Sequence, residues 1–384
     1  MPIILYVDVI MDDCIHALKL SGIRRYANMC GWDVVLCSER QSRPERLAKL
    51  LSRYHPIGCI VECSANHTDL PPTVFGNIPV VYLDCSPRLY GPNVHKVMHR
   101  GEATARMAFN ALSENKPSSY AVVDYHDARD WTKVRVGAFC ELAKASGMDC
   151  RVFARKTESP RARFNRLSKW MADIPPRSAV FAVNDYTATE VVAAAKVANR
   201  KIPQEMTLIG VDNLKSLCEQ GDIHLSSVQI DFERAGYTAA NRLKELLFAK
   251  SDMPAADWFD PLMVVRRKST SGAGRYEPYI PLIVERIRRE AVDGLTVRDA
   301  IAGFGGSRRL LEIRFREAVG HSILNEIQHV RMERVCFLLS TTTIPIGTIA
   351  SMCGYRSDIA LHKAFRQQMG VCMREWRKQN GLGA

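Results

Sequence analysis

The chain has 384 residues, 47% hydrophobic and 24% charged, a length that calls for two or three domains and a composition that excludes wholesale disorder. The formal net charge of +12 points to an anionic partner, and the excess is denser toward the C-terminus: residues 276–384 hold 16 Lys+Arg against 11 Asp+Glu, residues 1–275 hold 37 against 30. The opening MPIILYVDVIMDDC lacks a basic leader region, no run of about 18 apolar residues occurs, and the 12 cysteines form no CxxC pair; export, membrane spanning and a disulfide framework are disfavoured, and the chain reads as cytoplasmic with reduced thiols.

Residues 3–10 are a continuous apolar run rich in β-branched side chains, broken only by Asp8, as in a strand buried on both faces. A helical period covers 13–30, followed by a strand at 33–37, a charged helix at 43–54, and strands at 57–62 and 79–83. Alternation continues with helix 101–112, strand 120–123, helix 131–146, strand 150–154, helix 163–172, strand 179–183 and helix 188–199. Strands at 207–211 and 225–230, a helix at 232–248 and a strand at 262–266 complete the series. The pattern predicts an α/β class with right-handed crossovers, and parallel sheets flanked by helices; about ten strands divide more naturally into two sheets than one.

Doubly wound sheets bind ligands past the carboxyl ends of their strands. There the chain places Asp12 and Asp13, Asp84, Asp124, Asn184 with Asp185, and Asp212 with Asn213, while Trp131 and Arg135 lie on the helix after Asp124. Carboxylates and amides hydrogen-bond adjacent hydroxyls, and an aromatic face packs on a sugar's C–H surface, so the set points to a neutral polyhydroxylated ligand. The same residue types also cap helices and form turns, which leaves a structural alternative open for each. His95 and His99 could share a helix face, but beside Pro92 and without a partnering Glu they read as a surface pair rather than a metal site. No Ser/His/Asp set, metal-ligand spacing or catalytic carboxylate pair can be assembled, so neither catalysis nor a cofactor is expected.

After Arg266-Arg267-Lys268 comes STSGAGR, small, polar and aperiodic, which places a linker at 269–278 between a domain at 1–268 and another at 279–384. Only helices are visible beyond it. Ile283, Ile287 and Ala291 line one face, Thr296 opens a second helix, and the turn GFGGS leads into SRRLLEIRFREAVG, with Leu310, Leu311 and Phe315 inward and Arg308, Arg309, Glu312 and Arg316 outward. GFGGSR follows a helix and lacks the GxxxxGK[ST] form, so it is not a phosphate loop. A helix at 323–339 precedes TIPIGTIASMCGYRSDIALHKAFRQQMGVCMREWRK, two short helices around a turn at Gly354 and then a third. Here Ile359, Leu361, Phe365 and Met369 form the apolar set, with Asp358, His362, Lys363 and Arg366 on another face. The two units start at Ser307 and Ser357 and end at Gly320 and Gly370, a repeated helix-turn-helix with a polar helix for each of two major grooves.

These residues carry a family likeness. The segment from Thr296, with its pattern IxxIAxxCGYxS…FxxAFRxxxG, resembles the AraC/XylS-type DNA-binding domain. VNDYTATEVVAAAKVANRKIPQEMTLIGVDN and KVRVGAF are similar to the periplasmic-binding-protein-like effector domains of LacI-type repressors. In this order, without an N-terminal DNA-binding headpiece, they resemble the XylR-type xylose-operon regulators over essentially the whole chain. The resemblance implies a type I two-lobed sensing domain, sugar contacts from Arg135, Asn184 and Asp212, and base contacts from Arg309, Glu312 and Ile313 in one unit and Asp358, Ile359, His362 and Lys363 in the other. Ser307, Arg308, Arg316, Arg356, Ser357 and Arg366 complete the expected DNA surface, with Arg308 and Arg356 on phosphates or simply solvated. Ile313 and Ile359 are apolar where polar readers are frequent; they either contact a thymine methyl or pack. The GFGGS turn also departs from the family's usual sequence. Implied with this are a homodimer near the nucleoid, promoter DNA, a xylose-like effector and, for an activator of pentose-utilisation genes, RNA polymerase. A sugar-binding protein or an α/β enzyme acting on a sugar is the alternative.

Overall fold

The computed structural model describes residues 1–10, 13–64, 70–86, 88, 90, 91, 94–126, 129–248, 256–270 and 279–380. The chain divides into two compact units, Met1–Tyr276 and Glu277–Ala384.

The first unit opens with β1 (Ile3–Val9), α1 (Cys14–Cys30), β2 (Asp33–Ser38), α2 (Pro44–Tyr54), β3 (Gly58–Glu62), β4 (Val80–Leu83) and β5 (His95–His99). A second run follows: α3 (Gly101–Ser113), β6 (Ser119–Val123), α4 (Asp130–Ala145), β7 (Cys150–Phe153), α5 (Pro160–Asp173), β8 (Ser178–Ala182), α6 (Asp185–Val197), β9 (Met206–Val211), α7 (Lys215–Cys218) and β10 (Ser226–Ile230). The chain then returns through α8 (Phe232–Phe248) and β11 (Ala256–Phe259) and crosses back into β12 (Pro261–Val265). Two six-stranded sheets result, ordered β11-β5-β4-β3-β1-β2 and β12-β10-β9-β8-β6-β7. All pairings are parallel except β10 with β12. Ile4, Leu5, Tyr6 and Val7 of β1 have no exposed surface, as a strand covered on both faces requires.

Strands β5 and β11 are absent from the sequence reading. HKVMH and ADWF are short and end in polar or exposed side chains, and they become strands by pairing at the sheet edge, β5 with β4, Val81 opposite His95, and β11 with β5, Ala256 opposite Lys96 and Phe259 opposite His99. His95 and His99 therefore sit on a strand rather than a helix. The three connections between the lobes are tied together beside this pair: Arg100 N–H donates to the Phe259 carbonyl at 3.0 Å, Asp231 N–H to the Asp260 carbonyl at 3.4 Å, and the Arg100 guanidinium lies 3.4 Å from the Asp260 carboxylate. Ser269 and Thr270, read as the start of a linker, belong to the first unit: both are buried, Ser269 Oγ–H donates to the Leu208 carbonyl at 2.6 Å, and the Thr270 hydroxyl lies 2.6 Å from that of Ser226. Small polar side chains look alike in a linker and in a buried hydroxyl cluster. The rest of the expected linker, residues 271–278, lies outside the described residues.

The second unit comprises α9 (Tyr279–Glu290), α10 (Val297–Ile301), α11 (Arg308–Val319), α12 (Ile323–Thr341), α13 (Ile346–Met352), α14 (Asp358–Met369) and α15 (Met373–Asn380). Ser307 and Ser357 cap α11 and α14 by accepting the N–H groups of Leu310 at 3.3 Å and Ala360 at 3.2 Å, and Gly320 and Gly370 end them with left-handed φ of 89° and 75°. Leu311, Phe315 and Val319, and Leu361 and Phe365, are buried. Leu310 and Ile359, expected inward, are 37% and 77% exposed. Leu310 is a residue off the four-residue row that faces the core, and Ile359, two residues before Leu361, lies on the opposite side of its helix. At the turn of the second unit Gly354 has φ of 72°, and an added Cβ would lie 2.8 Å from the Ala291 carbonyl, a carbonyl that Arg331 Nε also reaches at 2.8 Å. Among the described residues no helix is long and apolar enough to cross a membrane.

Helices α1 and α8 touch backbone to backbone. A Cβ on Gly22 would lie 1.9 Å from the Glu233 carbonyl oxygen, and one on Gly236 equally close, at 1.9 Å, to that of Lys19. Gly236→Ala should force the helices apart and cost about 1–3 kcal/mol, the range for overpacking where backbone must yield. Urea unfolding followed by circular dichroism measures this, and an unchanged midpoint would show that the crossing has slack.

Candidate functional site

Between the two lobes of the first unit lies a cleft of about 320 Å³, at the small end of ligand cavities. From the first lobe it is lined by Ile10, Asp13, Ile15, His16, Ser64, Asp84 and His99. Tyr125, Arg129, Trp131, Arg135, Asn184, Tyr186 and Asp212 line it from the second, with Phe232 where the chain crosses back.

The first-lobe wall is built on a buried ion cluster. Lys19 on α1 has no exposed surface, and its ammonium donates to Glu62 Oε1 at 2.9 Å and Asp84 Oδ2 at 2.7 Å. Burial pulls its pKa down, but the Asp84 and Glu62 carboxylates outweigh burial and push the pKa above the usual lysine value. Glu62 is in turn held below the usual carboxylate value: burial raises it, but Lys19 and the Tyr6 hydroxyl, which donates to Oε2 at 2.6 Å, pull harder. Asp84 follows β4 with a left-handed φ of 56°; its Oδ2 is held on Lys19, and the residue lines the cleft. Asp13 works similarly. Its Oδ1 caps α1 by accepting from the N–H groups of Ile15 at 2.8 Å and His16 at 3.0 Å, while Oδ2 remains. His16 Nδ1 accepts the Ile10 N–H at 2.8 Å, so a ring proton belongs on Nε2, 3.3 Å from the Ser64 hydroxyl.

On the opposite wall Arg135 is 5% exposed and organises its neighbours. Its guanidinium donates to the Val183 carbonyl at 2.6 Å, reaches His99 Nδ1 at 3.5 Å, lies 4.0 Å from Asp212 Oδ1 and stacks 4.6 Å from the Trp131 ring centre. Burial, then the Arg135 and Lys19 cations, push the His99 pKa well below its ordinary value, so the ring is neutral, with Nδ1 accepting from Arg135 and Nε2–H donating to Thr104 Oγ1 at 3.0 Å. Burial raises Asp212 to about 6 against the pull of Arg135. Asn184 caps α6, its Oδ1 accepting the Thr187 N–H at 2.9 Å, so what it presents to the cleft is its amide N–H₂.

Thus Asp13, Asp84, Asn184 and Asp212 from strand ends and Trp131 and Arg135 from α4 are brought together. Asp12 lies outside the described residues. Asp124 and Asp185 are not in the lining. Asp124 Oδ1 accepts the Tyr125 N–H at 2.8 Å and its carbonyl accepts from Arg163 at 2.7 Å, leaving Tyr125 to face the cavity. Asp185 is wholly buried, accepting the Leu214 N–H at 2.8 Å, the Cys218 thiol at 3.2 Å and the Ser227 hydroxyl at 2.7 Å; burial, then the Asp212 charge, raise it to about 7. It supports the loop that carries Asp212. The sequence reading missed His16, His99, Tyr125, Arg129, Tyr186 and Phe232. A His and a Lys three apart on the inner face of α1 were the one available sign, since polar groups there need partners. Among the described residues no group of three or more His, Cys, Asp or Glu side chains is arranged to hold a metal ion.

The second unit presents its own candidate surface. Ser307, Arg308, Arg309, Arg316, Arg356, Ser357, Asp358, His362, Lys363 and Arg366 are exposed and Glu312 is half-buried. The two serine hydroxyls are engaged as caps. Asp358 supports the start of α14, accepting the Ile359 N–H at 2.9 Å, and His362 Nδ1–H donates to the Asp358 carbonyl at 2.8 Å, turning Nε2 outward. Arg308 lies 3.9 Å from Glu312. Among the described residues no carboxylate neutralises Arg309, Arg316, Arg356, Lys363 or Arg366. Ile313 and Ile359 stand out from their helices at 47% and 77% exposure and do not pack.

Residues 109–270 match the family model of a periplasmic binding protein-like domain and residues 301–379 that of a helix-turn-helix domain. The chain is 29% identical over 295 residues to the xylose operon regulatory protein of Escherichia coli strain K12, covering 75% of each, and 25% identical over 280 residues to that of Haemophilus influenzae, covering 72% of each. Among solved structures it resembles the xylose-binding transcription activator xylR, with a TM-score of 0.60 at 24% identity over 99% of this chain and 98% of that one.

Lys19→Met should strand the Glu62 and Asp84 charges in the interior and destabilise the first unit by about 3–5 kcal/mol, as breaking a buried pair does, and adding Glu62→Gln should return part of the loss. Denaturant unfolding of the single and double variants decides it; equal losses would dissolve the coupling.

Proposed function

With the chain taken as a XylR-type regulator, a sugar-responsive DNA-binding transcription regulator whose second unit is AraC-type, we propose that its effector is xylose or a closely related unphosphorylated pentose, held in the cleft between the lobes of the first unit. The observation that carries this reading is the convergence of Asp13 and Asp84 from one lobe with Arg135, Asn184 and Asp212 from the other around about 320 Å³. A monosaccharide presents hydroxyls on every edge. The carboxylate oxygens accept from them, the Asn184 amide and Arg135 donate to them, and Tyr125, Trp131, Tyr186 and Phe232 supply apolar wall. The three lining carboxylates Asp13, Asp84 and Asp212 outnumber the two lining guanidiniums of Arg129 and Arg135, which disfavours a phosphorylated sugar.

The sensing domain runs through Thr270 and the DNA-binding domain begins by Tyr279. Ligand that bridges both lobes stabilises their closed arrangement, and it shifts the regulator only by its differential affinity for that arrangement, typically about 1–3 kcal/mol of coupling. Recognition helices α11 and α14 enter successive major grooves of promoter DNA. The unpaired cations Arg309, Arg316, Arg356, Lys363 and Arg366 supply phosphate and base contacts. The protein acts in the cytoplasm on the nucleoid as a homodimer, activating pentose-utilisation genes through RNA polymerase.

Asp212→Ala should remove the sugar response and leave sugar-free DNA binding intact. Calorimetry with xylose and gel shifts on promoter DNA with and without the sugar test it, and unchanged sugar affinity would remove Asp212 from the site. Asp212 is held up at about 6 by burial and must be ionised to accept hydroxyls, so xylose affinity should be flat above pH 7 and fall by up to about tenfold per unit as pH drops below 6. Calorimetry at pH 5, 6 and 8 reads that out; a pH-independent affinity refutes it.

A further inference from the structure

Helices α11 and α14 correspond residue for residue at a constant offset, with caps Ser307 and Ser357, inward Leu311 and Leu361, Phe315 and Phe365, and terminal Gly320 and Gly370. On the outer side the correspondence holds at Arg316 and Arg366 but is inverted at two positions. The second helical residue is Arg309 in α11 and Ile359 in α14; the sixth is Ile313 in α11 and Lys363 in α14. Residues four apart share a helix face, so each recognition helix shows one cation and one isoleucine side by side, in opposite order along its axis.

Folding does not account for these isoleucines. They are 47% and 77% exposed, outside the buried rows, and isoleucine is a poorer helix former than the lysine or arginine at the matching position. Their surroundings are mixed, with Asp358 beside Ile359 and Glu312 and Glu317 beside Ile313. Each also has cations that no carboxylate among the described residues neutralises, Arg356 and Lys363 near Ile359 and Arg309 and Arg316 near Ile313, which suit an anionic partner. On a base edge in the major groove the apolar feature is the C5-methyl of thymine, while arginine or lysine pairs with guanine O6 and N7.

We infer that Ile313 and Ile359 are specificity-determining residues that each cover a thymine methyl, and that the two half-sites therefore carry a guanine and a thymine in opposite order. This rests on the DNA-binding reading above. The test uses the full chain to select duplexes from a random-sequence library. In the selected duplex each thymine is replaced in turn by deoxyuridine, which removes the methyl alone, and binding is followed by fluorescence anisotropy. One thymine in each of two half-sites about ten base pairs apart should show a loss of about fourfold, the worth of one methyl taken from water. Ile359→Ala should abolish the uridine effect at one of them and Ile313→Ala at the other. A wild-type protein indifferent to uridine at every thymine, a reading that needs no variant, overturns the inference, as do losses that both variants leave in place. Failure to select any duplex would instead refute DNA binding, and the inference with it.

Discussion

A lysine ammonium wholly removed from water is the constraint on which the first unit turns. Lys19 is tolerated there because Glu62 and Asp84 approach within 2.9 and 2.7 Å, and Glu62 is itself satisfied by Tyr6. A cluster like this adds little net stability, since desolvation offsets most of the attraction; what it provides is position. It ties the first helix to the ends of β3 and β4 and holds Asp84 in the cleft wall. The glycine crossing of α1 with α8 makes it possible, because only backbone-to-backbone contact brings α1 close enough for Lys19 to be sealed under Phe232, whose ring centre lies 5.4 Å from Nζ.

The second wall is organised by another buried cation, with a different outcome. Arg135 directs its two terminal nitrogens at a carbonyl, a neutral histidine and a nearby carboxylate and rests on Trp131, so it is oriented before a ligand arrives. The Trp131 face expected to pack on a sugar is partly used to hold this guanidinium. Each wall is thus ordered around its own buried cation, and Arg135 already reaches across to His99 at 3.5 Å.

Much of this was legible in the chain. Alternating periods announced the α/β unit because a parallel strand buried on both faces must be apolar throughout. The repeated helix-turn-helix was legible because caps, inward Leu and Phe, and terminal Gly recur at fixed spacing, each demanded by local geometry. Strands β5 and β11 were not legible, since five and four residues with polar ends carry no period of their own and become strands only by pairing, β5 between β4 and β11 and β11 on β5.

Strand-end acids were recognisable as a class, but their roles diverge. Asp84 and Asp212 face the cleft, whereas Asp124 and Asp185 bond to adjacent loops, and a carboxylate looks the same in sequence whether it meets solvent, a ligand or a backbone N–H. His99 was invisible as a site residue because Arg135, which reaches its Nδ1, comes from an element that only the lobe packing brings to it. By itself, then, the amino-acid order determined what each segment prefers locally and that a two-lobed sensor precedes a double reader of DNA. Which polar groups meet in the cleft, and that Ile313 and Ile359 stand in solvent, was decided by tertiary structure, because burial and partnership are properties of the packed surroundings rather than of the residue.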